Sequence, residues 1–184
     1  MGGRPRPLNK GLVGLHREGG GYSDDVVPGV PAEMAPNMFV DAVSIAARAF
    51  KHDRRDQTRE LYLTHSLDVA QALGTDATLL ELSTAVLHDV LEDTDWTMDE
   101  LANAGVNATV LHAVATLTRR PGEEDEEFVA RICGTSGDAG VIAQRVKRAD
   151  LTVNIATAAS DEERDRFERS LATVRGAVER NPDA

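Results

Sequence analysis

The chain is short of the features that would place it in a wall, a bilayer or a nucleic-acid complex. It has one cysteine, Cys133, in 184 residues, so no internal disulfide can form. It has no uninterrupted apolar run of the ~18 residues that a bilayer-spanning segment needs. The first ten residues, Met1 to Lys10, are basic but lack the apolar stretch of a signal peptide. Basic residues are outnumbered, with 20 Lys and Arg against 31 Asp and Glu and a net charge of -11. That balance argues against the basic face that broad nucleic-acid binding requires and against anionic membrane surfaces. Aromatic residues are only 4% of the chain against 41% apolar, so any core must be built from Ala, Leu, Val and Ile. The expectation is a reduced, cytoplasmic protein with a small-molecule partner and a single main domain. Composition sets no oligomeric state.

Residues 1–36 hold five of the seven prolines and the run Gly19-Gly20-Gly21, and read as an irregular arm. From Asn37 to about 181 the pattern is helical. Phe39, Val43, Ala46, Ala47 and Phe50 fall on one stripe. Ser66 is expected to cap a short helix that Gly74 ends. Leu79, Leu82, Val86, Leu87, Val90 and Leu91 stripe the next helix as one continuous element. Thr97 with Glu100, and Ser160 with Glu163, have the spacing of capping boxes. Val106 to Leu117, Glu123 to Ile132 and Val141 to Ala159 complete the set, and period-2 strands are absent. The reading is an all-α bundle of seven or eight helices.

Polar residues inside apolar helices cost free energy unless something pairs with them. The Leu79–Leu91 stripe is broken by His88 and Asp89, and Glu92 and Asp93 follow. His88 shares a face with Glu92, and Asp89 with Asp93, each four residues on. Three neighbouring carboxylates repel one another unless a proton or cation lies among them, and His with Asp is a plausible mixed set for a divalent metal. The other reading is a solvated helix end with a local His88–Asp89 hydrogen bond. Two distant segments tilt the balance. His65 opens a helix after Tyr62-Leu63-Thr64. Asp150 sits within the apolar run Val141–Ile155, with Lys147 three residues before it and Asn154 four after. A lone buried Asp is expensive and a metal ligand is not.

The order His65, His88-Asp89, Asp150 resembles the H…HD…D signature of the HD phosphohydrolase superfamily, and more narrowly the hydrolase domain of the RelA/SpoT proteins and the small stand-alone alarmone hydrolases. Leu87-His88-Asp89-Val90-Leu91-Glu92-Asp93-Thr94 is similar to the "LLHDxxEDT" core. Glu60 to His65 resembles "EPYxxHP", and Lys147-Arg148-Ala149-Asp150 with Asn154 resembles "KLADxxxN". The likeness runs from about Phe39 to Ala158. It implies an HD-domain bundle over residues 37–181. It further implies a Mn²⁺ ion on His65, His88, Asp89 and Asp150, with Glu92 and Asp93 as the catalytic pair that orients and deprotonates water. The implied substrate is guanosine tetra- or pentaphosphate, cleaved at its 3′-pyrophosphate. Arg55 corresponds to the Arg that stacks on the base, and Lys147 and Asn154 are expected to contact phosphate and ribose. Phe50, Ser66 and Leu151 depart from the pattern and leave the metal residues intact.

Two other readings share most of these residues: an HD phosphohydrolase for a different nucleotide, and a non-catalytic nucleotide sensor. The Glu92-Asp93 pair argues against the sensor, which needs no acid/base pair. The remaining residues have ordinary readings. His16 and His112 fall in the arm and on an apolar helix, His52 on a loop, Trp96 at a turn and Cys133 in the core. Arg119 and Arg120 follow a helix C-terminus, where cations are favoured, with a phosphate contact as the lesser alternative.

Overall fold

The computed structural model describes residues 35–51 and 61–180. The arm expected over 1–36 therefore lies outside the described residues except at its last two positions, and so do His16, His52 and Arg55. The described residues form nine helical segments: α1 (Ala35–Phe50), α2 (Tyr62–Ala72), α3 (Leu79–Leu87), α4 (Val90–Asp93), α5 (Met98–Asn103), α6 (Ala108–Leu117), α7 (Asp125–Gly134), α8 (Gly137–Thr157) and α9 (Asp161–Arg180). The all-α reading holds. The extra segment is the single turn α4, which the stripe joins to α3. Apolar spacing runs through 79–91 without a fault, so periodicity alone cannot show the interruption. The break falls at His88 and Asp89, with Asp89 at φ -97°, ψ -3°, away from regular helix geometry.

Local signals set most boundaries. Thr97 and Glu100 form the expected box, with Glu100 Oε2 accepting from the Thr97 N–H at 2.8 Å. The Ser160 box is half of one. Ser160 Oγ accepts from the Glu163 N–H at 3.1 Å, but Glu163 Oε2 takes the Ala159 N–H instead. Thr78 and Glu81 close a further box at the start of α3. Gly74 and Gly105 end their helices at φ 93° and 86°, a left-handed conformation in which a Cβ is strained. Ser66 is not a cap. The α2 helix starts four residues earlier, at Tyr62, and Ser66 Oγ donates back to the Tyr62 carbonyl at 3.1 Å.

The core is built of small aliphatics, as the aromatic shortage requires. Helix α3 runs through its middle, against α1, α2, α6 and α8. Ala85, Val86 and Leu87 are wholly buried beside Ala46, Val69, Val114 and Val146. At ~25 cal/mol per Å² of apolar surface removed from water, this packing is the main stabilising contribution. Phe50 is 1% exposed and stacks on Tyr62, ring centroids 5.4 Å apart. A second cluster, Val129, Leu151, Leu171 and Val174, fastens α9 onto α7 and α8. Leu151 is 2% exposed and belongs to that seam, which accounts for an apolar residue next to Asp150.

Candidate metal centre

Three helices deliver the polar residues to one point. His65 comes from the first turns of α2, His88 from the end of α3 and Asp150 from the middle of α8. All three are buried, at 1%, 3% and 3% exposure. One ligand atom from each lies within 4.8 Å of the others. Asp150 Oδ1 is 3.3 Å from His65 Nε2 and 3.7 Å from His88 Nε2. Asp89, in the α3–α4 break, stands beside this trio. Its Oδ1 is 3.1 Å from His88 Nε2 and its Oδ2 is 3.8 Å from His65 Nε2. Atoms that share one ion at bond lengths of ~2.0–2.2 Å are roughly 3–4.4 Å apart. The Asp150 contacts to both imidazoles have that spacing, while Asp89 meets His88 with one oxygen and His65 with the other.

The donor set fits a divalent cation on two further counts. His88 Nδ1 is 2.8 Å from the Ala85 carbonyl. A carbonyl only accepts, so Nδ1 carries a proton and Nε2 is turned into the cluster, the arrangement typical of ligating histidines. That buried Nε2 makes no hydrogen bond of acceptable geometry, although carboxylate oxygens surround it. The electrostatics agree. Burial, the strongest single influence, opposes charge on His88, but the Asp89 and Asp150 carboxylates outweigh it and raise its pKa from 6.5 to about 10. A cluster that holds a proton so firmly is short of positive charge. Burial also works against ionisation of Asp150, yet the Lys147 ammonium and the two imidazoles keep its pKa well below 3.8.

Two of the three predicted substrate residues, Lys147 and Asn154, are engaged in this network, and Arg55 lies outside the described residues. Lys147 Nζ donates to Asp150 Oδ2 at 2.8 Å, and Asn154 Nδ2 donates to Asp150 Oδ1 at 2.6 Å. The spacings noted in the sequence, three before and four after, thus converge on Asp150 itself. Both residues also line a cavity of about 260 Å³ that opens over the centre, together with Asp89, Glu92 and Asp93. Glu92 does not hang free in it. Its carboxylate accepts the backbone N–H of Arg119, at the end of α6. The turn that offers this amide is itself tied down. Arg131 donates to the Thr116 and Thr118 carbonyls at 2.9 and 3.0 Å, and to Glu123 at 2.6 Å.

Several cavity residues carry no motif. Arg166 and Phe167 of α9 line it, as does Glu163. They lie in the polar stretch Asp161–Arg169, where nothing distinguishes one charged residue from the next. Tyr62 also lines it, and it stands at the Tyr of the segment that resembles "EPYxxHP".

The chain shares its fold with a solved structure described as a metazoan ortholog of SpoT that hydrolyses ppGpp. The two match with a TM-score of 0.62 over 77% of this chain and 85% of the other, at 22% identity. In sequence, 67 residues are 38% identical to the human guanosine-3′,5′-bis(diphosphate) 3′-pyrophosphohydrolase MESH1. That match takes in 34% of this chain, and the chain spans about 37% of the length of the human relative. No family model matches the chain.

Proposed function

We propose that the chain is a metal-dependent HD-type hydrolase that converts guanosine tetra- or pentaphosphate to GDP or GTP and pyrophosphate. The observation that carries this reading is the convergence of His65, His88 and Asp150 beneath a cavity that presents Glu92 and Asp93. The likenesses to the human hydrolase and the metazoan structure support the same reaction. The reading takes residues 37–181 as the hydrolase domain and 1–36 as an arm. His65, His88 and Asp150 would hold the ion with Asp89 at their side, and Mn²⁺ is the metal we favour.

The chemistry a bound divalent cation supplies is Lewis acidity toward water and toward a phosphoryl oxygen. The chain supplies the rest. Water attacks the phosphorus attached to the 3′ oxygen, the P–O3′ bond breaks, and the nucleoside oxygen leaves with a proton. Glu92 and Asp93 take the proton from the water and return it to the leaving oxygen. The Arg119 amide keeps the Glu92 carboxylate at one orientation, which general-base catalysis needs. Lys147 offsets charge that builds on the phosphoryl oxygens, and Asn154 holds the ribose side of the scissile bond. Arg55 is taken to lie against the purine.

The test is a panel of guanine and adenine nucleotides incubated with purified protein and Mn²⁺. Pyrophosphate from guanosine tetraphosphate is the expected product. Turnover confined to another nucleotide would assign the same chemistry to a different substrate. Metal uptake without turnover of any nucleotide would leave a sensor.

A further inference from the structure

Five carboxylates line the cavity over the metal centre against two cations, Lys147 and Arg166, and a polyphosphate needs cations. Lys147 is committed, since its ammonium lies 2.8 Å from Asp150. Arg166 is held far more loosely. Its side chain is 48% exposed, and its ion pairs to Asp125 and Glu163 are long, 3.4 and 3.8 Å. Arg166 and Lys147 also border a second cavity of about 100 Å³ that adjoins the first and is lined by Arg119, Asp125 and Phe128. Arg119 Nη2 is 2.7 Å from Asp125 Oδ1, while Arg166 approaches Asp125 Oδ2. One carboxylate therefore sits between two guanidiniums, with one oxygen turned to each. A phosphate group takes the same place between arginines. The cations are gathered rather than scattered. Arg119, Lys147 and Arg131 all lie over the Phe128 ring, at 4.6, 5.1 and 5.3 Å. In a chain of net charge -11, this is a local positive pocket beside an acidic site.

We infer that Arg119 and Arg166 form an anion subsite that takes the phosphate group the enzyme does not cleave, with Asp125 filling its place until the nucleotide arrives. The inference rests on the proposed function and refines it. A substrate whose 3′-pyrophosphate faces Asp150 and Lys147 extends its 5′-phosphates past Lys147 to Arg166. The subsite thus selects nucleotides that carry separate phosphate groups on the two sides of the ribose. Displacement of Asp125 exchanges one ion pair for another, so the guanidiniums are never left bare.

The test compares wild type, Arg166→Gln and Asp125→Asn on guanosine tetraphosphate and on the analogue that lacks 5′-phosphates. One charge-assisted hydrogen bond corresponds to about a ten- to hundredfold change in affinity. Arg166→Gln should raise KM for the tetraphosphate by about that factor, with the loss falling on KM more than on kcat. Asp125→Asn, which removes the competitor, should lower KM. The ratio of KM between the two substrates should collapse in Arg166→Gln, and Arg166→Lys should recover part of it. Equal losses on both substrates, or an Asp125→Asn that binds more weakly, would overturn the subsite. Wild-type protein that turns over no nucleotide would sink the proposed reaction and not the subsite. Calorimetric titration with GDP then decides, and equal affinity of wild type and Arg166→Gln would refute the subsite.

Discussion

Asp150 and Asp89 are both proposed ligands, but without a metal they do different things, and that difference sets a stability prediction. The Asp150 side chain is 5% exposed and is bonded to a Lys147 side chain that is 17% exposed. It also accepts from Asn154 and faces both imidazoles. Asp150→Ala takes the nearest carboxylate from a largely buried ammonium and leaves only the influence of Asp89 and Glu92, which costs about 3–5 kcal/mol. For a domain of this size that lowers Tm by roughly 6–20 °C. The Asp89 side chain is 23% exposed, and its charge opposes that of Asp150. Asp89→Ala removes an attraction and a repulsion together and should cost about 1 kcal/mol or less. Urea unfolding in excess EDTA measures both. The cause can be isolated by Asp150→Ala/Lys147→Met, in which the stranded charge is gone. We expect the double variant to recover about 2 kcal/mol relative to the sum of the single losses. Equal losses at positions 89 and 150, or additive losses in the double variant, would refute the view that Asp150 is the electrostatic keystone of the metal-free protein.

Three further outcomes follow from the same geometry. Glu92→Ala should retain metal and lose turnover, whereas Asp89→Ala should lose both; metal analysis beside the pyrophosphate assay distinguishes them, and loss of metal in the Glu92 variant would make that residue a ligand. The hydrogen bond from Arg131 depresses the Glu123 pKa from 4.5 to about 2, so its stabilisation is present above pH 4.5 and is lost as pH falls toward 2. Glu123→Gln should flatten the stability profile in that window, as acid titration followed by circular dichroism will show. Leu87 is wholly buried next to His88, and Leu87→Ala should cost about 2–5 kcal/mol by chemical denaturation.

Much of this was legible in the residues themselves. Aliphatic stripes located the core helices, because a chain with few aromatics must bury aliphatics at regular intervals. The Thr97–Glu100 pair marked its helix start through chemistry that is local to four residues. The relation of Lys147 and Asn154 to Asp150 was visible as spacing along one helix, although its meaning differs. Both side chains bond Asp150 as well as line the cavity. What could not be read is long-range or silent in pattern. The break at His88–Asp89 interrupts a stripe that continues on the same face, so only the backbone reveals it. Ser66 has the residue type of a cap and sits one turn inside the helix. Arg166 reaches the cavity because Leu171 and Val174 press α9 against Val129 and Leu151, a tertiary fact with no trace in the polar stretch that holds it.

The tether on Glu92 has a consequence for how such a site can drift. Its donor is the peptide nitrogen of position 119, not the arginine side chain. Almost any residue can stand there without removing the donor to Glu92, and proline, which has no N–H, is the exception. The side chain at 119 is left to partners of its own, the Asp125 carboxylate, the Glu123 carbonyl and the Phe128 ring. On the proposed subsite, substrate preference would shift with the residue at that position while the backbone tether on Glu92 stays as it was.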